Sequence, residues 1–162
     1  MSIELISESP EDTFEIARSL GKVLVSGDVI ALTGDLGAGK TCFCKGIGAA
    51  LGISSERVVS PTFTIVTEHE GTLPFTHVDV YRLDTVREAV EIGLDETFSK
   101  KDGICVVEWA EKVEELLPKD HIQVTFVISD NDCRKIMVSW PEQSRFAAFR
   151  DQIARFSARR VN

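Results

Sequence analysis

Residues 29–41 read VIALTGDLGAGKT. The continuous apolar run at residues 29–32 is too short for a helix and is typical of a parallel strand that is buried on both faces. Residues 34–41 match the phosphate-binding pattern G-x-x-x-x-G-K-[ST], and residues 41–51 have a helical pattern that Gly52 ends. A buried strand, a glycine-rich loop and a helix in this order predict a loop that binds a polyphosphate.

The chemistry of this loop follows from its residue types. Glycines let successive backbone N–H groups point at a phosphate, and the helix N-terminus adds a partial positive charge. Lys40 is expected to reach the β- and γ-phosphates, and the Thr41 hydroxyl is expected to bind Mg²⁺. A glycine-rich turn that only caps the helix is the alternative. The predicted nucleotide contacts in and next to the loop are Asp35, Leu36, Gly37, Ala38, Gly39, Lys40, Thr41 and Cys42.

The rest of the chain alternates between strand and helix patterns. Strands are predicted at residues 3–6, 62–68, 75–81 and 104–107. Helices are predicted at residues 10–25, 86–92 and 111–117. Residues 129–132 join two further strands, 121–128 and 133–140, as an antiparallel hairpin. A last helix is expected over about residues 142–158, with Phe146, Phe149, Ile153 and Phe156 on one face.

These elements predict one domain that spans residues 1–162. Its fold class is α/β, like that of P-loop NTPases, with three layers. The sheet is expected to be mainly parallel, with antiparallel strands at its edges.

Composition narrows the class of protein. With 43% apolar residues, the 162-residue chain can build one core without disulfides. A net charge of −8 disfavours binding to bare nucleic acid. The cysteines form no C-x-x-C pair, so they are predicted to be reduced thiols rather than zinc ligands. The acidic N-terminus and the lack of any apolar run of about 18 residues predict a cytoplasmic protein without a membrane partner.

Two carboxylates stand at predicted strand ends. Asp79 ends the pattern at residues 75–79, and Glu108 follows the strand at residues 104–107. Ligands gather at the carboxyl ends of parallel strands, so both carboxylates could converge on Mg²⁺ beside the loop. One would hold the metal and the other would orient the attacking water, and the sequence leaves these two roles unassigned. Exposed strand-end acids without a ligand are the alternative.

The segment SPTFT, residues 60–64, lies where a switch segment is expected, between the loop helix and the next strand. A Thr62 hydroxyl there can sense the γ-phosphate or its metal. An ordinary Ser-Pro turn that opens a strand explains the same residues equally well. His77, a lone histidine two residues before Asp79, is interpreted as structural.

The polar residues also bear on the choice of nucleotide. Guanine recognition is disfavoured. Residues 99–102 match the guanine-binding motif Asn-Lys-x-Asp only weakly, and they precede a predicted strand, whereas that motif normally follows a strand. An arginine-bearing lid typical of small-molecule kinases is not evident in so short a chain. An ATPase is therefore preferred, with a small-molecule kinase and a nucleotide-gated binding module without useful hydrolysis as alternatives.

Four blocks of sequence resemble one family, the bacterial TsaE proteins, formerly called YjeE. The blocks are GDLGAGKT at residues 34–41, SPTFT at 60–64, HVDVYRL at 77–83 and VEWAEK at 107–112. The resemblance implies a small Mg²⁺-dependent ATPase that works with the TsaB and TsaD proteins in threonylcarbamoyladenosine modification of tRNA. It implies contact with tRNA only indirectly, through that complex.

The resemblance also implies roles for single residues. Lys40 and Thr41 match the phosphate and Mg²⁺ positions, and Thr62 matches the switch threonine. Asp79 and Glu108 match acidic metal or catalytic positions. Trp109 matches a tryptophan near the nucleotide, so it joins the predicted cofactor contacts. The expected catalytic set is Lys40, Thr62, Asp79 and Glu108, and the expected metal ligands are Thr41, Asp79 and Glu108.

The C-terminal region carries a surplus of arginines. They could contact tRNA or an acidic partner, or they could form the solvated face of an amphipathic helix, which is the simpler interpretation. The arginines are Arg145, Arg150, Arg155, Arg159 and Arg160.

Overall fold

The computed structural model describes residues 1–157, in which seven strands form one sheet. The strands are β1 (Ser2–Ser7), β2 (Val29–Thr33), β3 (Val66–Glu70), β4 (Pro74–Asp79), β5 (Ile104–Glu108), β6 (Ile122–Ile128) and β7 (Arg134–Ser139). Their order is β1-β7-β6-β2-β5-β4-β3. The four central strands, β6-β2-β5-β4, are parallel, and β1, β7 and β3 pair antiparallel at the edges. The predicted mainly parallel sheet with antiparallel edge strands is confirmed.

The helices lie on both faces of the sheet. They are α1 (Pro10–Gly21), α2 (Lys40–Ala50), α3 (Val86–Glu91), α4 (Leu94–Ser99) and α5 (Phe146–Ile153), with 3₁₀ helices at Ala110–Leu116, Asp130–Asp132 and Ala154–Phe156. No helix within residues 1–157 is long and apolar enough to cross a membrane.

The apolar run in β2 reflects burial on both faces. Ile30 and Leu32 belong to the core cluster that includes α1, α2 and α5. Val29 and Ala31 belong to the opposite cluster, with α3, α4 and the 3₁₀ helix at Ala110–Leu116. Successive side chains of a strand point to opposite faces, so a strand covered by helices on both sides needs apolar residues at every position. The predicted three-layer α/β architecture is confirmed.

The start of α1 is also as predicted. Ser9 is its N-cap and accepts a hydrogen bond from the backbone N–H of Asp12 at 3.1 Å, and Pro10 occupies the first turn. Helix α1 ends at Gly21, however, and not at residue 25. The Asp28 carboxylate accepts a hydrogen bond from the Val25 N–H at 2.8 Å, which holds this stretch in a turn before β2.

Two strand boundaries were predicted wrongly around the 60–64 segment. Strand β3 begins at Val66, because Ile65 has a left-handed φ of 66° and its N–H donates to the Pro61 carbonyl at 2.6 Å. Strand β4 ends at Asp79 and not at residue 81. The Asp79 Oδ1 accepts a hydrogen bond from the Tyr81 N–H at 2.9 Å, which turns the chain away from the sheet.

Two helix predictions need correction, and one helix was missed. The predicted helix at residues 111–117 is a 3₁₀ helix, kinked at Val113, where φ is −129°. Helix α4 was not predicted; it follows α3 after Gly93, whose φ is 81°. The last helix begins at Phe146 and not at residue 142, and its α-helical part ends at Ile153. Ser157 then forms an antiparallel bridge with Leu5, which ends the helical conformation.

Arg145 has a structural role at the start of α5. Its guanidinium makes a two-pronged ion pair with Asp28, at 2.6 and 2.9 Å, and donates to the Val23 carbonyl at 2.9 Å. The ion pair ties α5 to the turn before β2. Arg159, Arg160 and the predicted helix end at residue 158 lie outside the described residues.

Candidate functional site

Most of the predicted site residues surround one cavity at the carboxyl ends of β4 and β5. The cavity has a volume of about 410 Å³. Ten predicted site residues line it: Leu36, Gly37, Gly39, Lys40, Thr41, Cys42, Thr62, Asp79, Glu108 and Trp109. Asp35 and Ala38 do not line it, whereas Ser60 and Tyr81, which were not predicted as site residues, do. Parallel strand order explains the convergence, because β4 and β5 are neighbours and end at the same edge.

The glycine-rich loop, residues 34–39, places its lysine inside this cavity. Gly37 and Gly39 have φ of 76° and 106°, a left-handed conformation that residues with a Cβ adopt at a cost. Lys40 Nζ donates hydrogen bonds to the carbonyls of Gly34 and Asp35 and lies 3.9 Å from the centroid of the Trp109 ring. The loop thus holds the ammonium group against its own backbone and an aromatic face.

Burial and nearby charge act on Lys40 in opposite directions. The residue is only 5% exposed, and desolvation lowers the pKa of its ammonium group. The carboxylates of Glu108, Glu111 and Asp79 oppose this effect. Desolvation is the larger of the two effects, so the pKa of Lys40 lies below its usual value.

Glu108 is fixed through both of its carboxylate oxygens. Thr41 Oγ1 donates to Glu108 Oε1 at 2.9 Å, and Glu108 Oε2 shares a hydrogen bond of 2.7 Å with His77 Nε2. All three residues lie on different elements: α2, β5 and β4. His77 is fully buried, so water does not compete for this contact.

His77 therefore helps to position Glu108, a role that was not predicted from the sequence. A signal was present: His77 and Asp79 are two residues apart on one strand, so they share a face of the sheet. The prediction that His77 is structural is correct in that it is a core residue, but it contacts a predicted site carboxylate directly.

Asp79 binds the 60–64 segment instead of the loop helix. Its Oδ2 accepts hydrogen bonds from Ser60 Oγ at 2.5 Å and from Thr62 Oγ1 at 3.3 Å. Asp79 is 3% exposed and pairs in register with Glu108. The two carboxylates are thus neighbours with different hydrogen-bond partners. These partners distinguish Asp79 from Glu108, whose roles the sequence left unassigned.

Trp109 forms an aromatic wall of the cavity. Its backbone is left-handed, with φ of 60°, a conformation that costs a residue with a side chain of order 1–3 kcal/mol. Its ring centroid lies 4.9 Å from that of Tyr81, and its face contacts the Lys40 ammonium. A strained aromatic residue beside a buried cation is typical of a functional position.

A second cavity of about 330 Å³ lies on the other side of the glycine-rich loop. Gly37, Gly39 and Cys42 line both cavities, and Ala38 lines the second. Its other walls are the turn between β1 and α1 and the β6–β7 connection, where Arg134 donates to the Gly37 carbonyl at 3.2 Å. The Cys42 thiol donates to the Pro10 carbonyl at 3.3 Å, so it points away from Thr41's partner Glu108.

The donor atoms in the first cavity suit Mg²⁺ and phosphate. Thr41, Asp79 and Glu108 offer a hydroxyl and two carboxylates, the hard oxygen ligands that Mg²⁺ prefers. Lys40 and the N-terminus of α2 offer positive charge to an anion. The residues present therefore fit a magnesium ion bound together with a polyphosphate.

Fold and cavity together define an α/β protein whose glycine-rich loop faces two strand-end carboxylates. The chain belongs to the TsaE family, because the family model for the threonylcarbamoyl adenosine biosynthesis protein TsaE matches residues 7–152. Both the fold class and the family resemblance predicted from the sequence are confirmed.

Individual relatives agree with this assignment. The chain is 46% identical over 130 residues to the tRNA threonylcarbamoyladenosine biosynthesis protein TsaE of Bacillus subtilis, covering 79% of each chain. It is 38% identical to the protein of the same name from Treponema pallidum, covering 83% of this chain and 98% of the relative. A crystal structure of Bacillus subtilis YdiB superposes with a TM-score of 0.77 at 37% identity, covering 96% of this chain and 95% of that one.

Proposed function

We propose that this protein is a Mg²⁺-dependent ATPase that acts with TsaB and TsaD in threonylcarbamoyladenosine modification of tRNA, in the cytoplasm. The observation that carries the proposal is the convergence of Lys40, Thr41 and Glu108 in one cavity at the N-terminus of α2. The names of the family and of its relatives support the pathway.

Lys40 is the residue proposed to bind the terminal phosphates. Its ammonium group is already inside the cavity and is held by two carbonyl oxygens of the loop. Phosphate oxygens carry more negative charge than carbonyl oxygens, so the ammonium exchanges its loop contacts for the β- and γ-phosphates. The backbone N–H groups of the loop and the start of α2 complete the anion site.

Thr41 and Glu108 are proposed to hold the metal side of the site. Their 2.9 Å hydrogen bond places a hydroxyl and a carboxylate oxygen next to each other at the cavity wall. A bound Mg²⁺ would neutralise the charge that develops on the phosphate oxygens. His77 keeps the Glu108 carboxylate in one orientation, because it occupies the oxygen that Thr41 does not contact.

Asp79 is proposed to couple the 60–64 segment to the site. Ser60 and Thr62 reach this carboxylate with their hydroxyl groups, and all three residues line the cavity. A γ-phosphate offers Thr62 a stronger acceptor than its 3.3 Å contact with Asp79. We therefore assign Thr62 to sensing the γ-phosphate, and Asp79 to restraining the segment and orienting the attacking water.

The second cavity is proposed to receive the nucleoside. Gly37, Gly39 and Cys42 line both cavities, so a nucleoside in the second cavity would lie next to the phosphate site. The backbone N–H of Cys42, in the first turn of α2, is assigned to the α-phosphate, because it follows Thr41 directly. Arg134 and Asp132 provide polar groups for the sugar or base.

Phosphate release from ATP tests the proposal. We would measure it with Mg²⁺ for this protein alone, and then with purified TsaB, TsaD and tRNA. Hydrolysis is expected to rise with the partners and to fall by about 10²-fold in Lys40→Ala, which loses the phosphate contact. Lys45→Ala is the control, because Lys45 is on the same helix but lines neither cavity.

Other results would favour another function. Phosphate transferred to a low-molecular-weight acceptor would identify a kinase. Tight binding of Mg²⁺–ATP that changes partner affinity without turnover would identify a nucleotide-gated binding module. Unchanged hydrolysis in Lys40→Ala would contradict the assigned site.

A further inference from the structure

Three buried side chains with metal-binding atoms meet behind the cavity wall. They are Cys44 of α2, His77 of β4 and Glu108 of β5, and one ligand atom from each lies within 4.8 Å of the other two. Cys44 and His77 are fully buried, and Glu108 is 2% exposed. We call these three residues the thiol cluster.

The ligand types in the thiol cluster differ from those expected around Mg²⁺. A thiolate, an imidazole and a carboxylate are the ligands that proteins use for Zn²⁺, and Cd²⁺, which is softer, accepts the same set. Mg²⁺ binds oxygen ligands and does not select sulfur. The cluster therefore favours a softer metal ion than the one proposed for ATP hydrolysis.

The spacing of the three atoms suits one tetrahedral ion. Zinc–sulfur and zinc–nitrogen bonds of about 2.3 and 2.0–2.1 Å place ligand atoms roughly 3.5 Å apart. The atoms of the thiol cluster lie within 4.8 Å of one another, and the His77–Glu108 pair, now at 2.7 Å, would open slightly.

His77 has ring nitrogens with different surroundings. Its Nδ1 atom is buried and has no hydrogen-bond partner among residues 1–157. Its Nε2 atom faces Glu108 Oε2 at 2.7 Å, so Nε2 is the nitrogen that would bind an ion shared with Glu108, while Nδ1 would carry the ring proton.

We propose that Cys44, His77 and Glu108 form a site for Zn²⁺ or Cd²⁺, and that its occupancy inhibits hydrolysis. The ion enters through the 410 Å³ cavity, which Glu108 lines. It displaces the thiol proton of Cys44, which leaves to solvent, and forms the metal–sulfur bond. Inhibition follows because an ion bound at Glu108 Oε2 neutralises charge on the carboxylate that is proposed to hold Mg²⁺; this second part rests on the proposed function, whereas the binding does not.

Cys44 is protonated before the ion binds. Burial raises the pKa of its thiol well above the usual value, and the carboxylates of Glu108 and Asp79 act in the same direction.

Cadmium absorption tests the binding directly. The reduced, metal-free protein would carry Cys42→Ser and Cys133→Ser, which remove the two partly exposed thiols. Titration with Cd²⁺ is expected to produce the ultraviolet charge-transfer band of a single cadmium–thiolate bond, saturating at one equivalent. Cys44→Ala should abolish the band, and Cys105→Ala, which removes another buried thiol, should leave it unchanged. A band that persists in Cys44→Ala, or no band at all, would overturn the site.

Inhibition is then measured separately in the same proteins. The Zn²⁺ concentration that inhibits the parent protein is expected to be at least tenfold lower than the concentration that inhibits Cys44→Ala. Without Zn²⁺, the activity of Cys44→Ala should stay within about twofold of the parent. Equal inhibition of both would overturn the inhibitory role. If Cys44→Ala does not fold, Cys44→Ser keeps the size of the side chain while weakening its binding of soft metals. A Cys44-dependent cadmium band in a protein without ATPase activity would support the site and contradict the proposed function.

Discussion

Thr41 and Glu108 are joined by a hydrogen bond of 2.9 Å between Thr41 Oγ1 and Glu108 Oε1. The bond links the first turn of the helix that follows the glycine-rich loop to the last residue of β5. Glu108 is held by His77 on its other oxygen, so a core residue of β4 restrains a group at the cavity wall. The loop helix and the two strand ends therefore form one connected polar unit.

Replacing Glu108 by glutamine tests the metal role of this unit. Glu108→Gln keeps the shape and an oxygen that accepts from Thr41, but it removes the negative charge. We expect hydrolysis to fall by about 10²-fold or more, while ATP affinity without Mg²⁺ stays within a few-fold. Phosphate release and nucleotide binding, each titrated with Mg²⁺, would show the difference. Glu115→Gln, on the neighbouring 3₁₀ helix, should change neither.

Replacing His77 tests the support of Glu108. His77→Leu leaves the buried Glu108 Oε2 without its 2.7 Å partner, so the free energy of unfolding should fall by about 1–3 kcal/mol. His77→Gln can donate to the same oxygen and should recover most of that loss, together with hydrolysis. Urea unfolding and phosphate release would be measured on both variants. Equal behaviour of leucine and glutamine would refute a hydrogen-bonding role.

Nucleotide binding should be visible in the fluorescence of one tryptophan. Lys40 Nζ lies 3.9 Å from the Trp109 ring centroid and should move toward phosphate when a nucleotide binds. Trp109 emission should therefore change on adding Mg²⁺–ATP, while that of Trp140, buried against Phe146, should not. Trp140→Phe should retain the response and Trp109→Phe should lose it. A response that disappears with Trp140 would contradict the assignment.

Gly46 tests the close packing of α1 on α2. A Cβ at this position would collide with the Phe14 carbonyl and lie 2.6 Å from the Ala17 Cβ, both in α1. Gly46→Ala should therefore destabilise the protein by about 1–3 kcal/mol, despite the better helix propensity of alanine. Thermal unfolding should show a midpoint several degrees lower, at roughly 2–4 °C per kcal/mol for this size. Lys45→Ala, one residue earlier on the less buried face, should shift it little.

Cys105 is expected to make the protein less stable at alkaline pH. Burial raises the pKa of its thiol to about 12, above the value expected in the unfolded chain. The folded state therefore retains a proton that the unfolded state loses, so stability is intact below about pH 8.5 and declines as pH rises above it. The decline approaches ~1.4 kcal/mol per pH unit for one thiol. Urea unfolding between pH 8 and 10.5 should give a shallower decline for Cys105→Ala, and identical slopes would refute this origin.

Several parts of the fold were predictable because their signals are local. Ser9 and Pro10 mark the start of α1 through capping chemistry, and the run of apolar residues in β2 reports burial on both faces. Element ends that depend on distant contacts were not predictable. Helix α5 begins late, where Arg145 is bound to Asp28, and β3 begins late, after the 60–64 segment that Asp79 holds.

The sequence by itself determined the strand–loop–helix unit, the α/β class and most residues that line the cavity, because spacing along the chain controls local conformation. Tertiary structure alone decided the partners of each carboxylate: Thr41 and His77 for Glu108, Ser60 and Thr62 for Asp79. It also brought Cys44 beside His77 and Glu108, although cysteine spacing predicts no metal site. The physical reason is that hydrogen bonds and metal ligation depend on ångström-scale distances between strands and helices, which only the packed sheet defines.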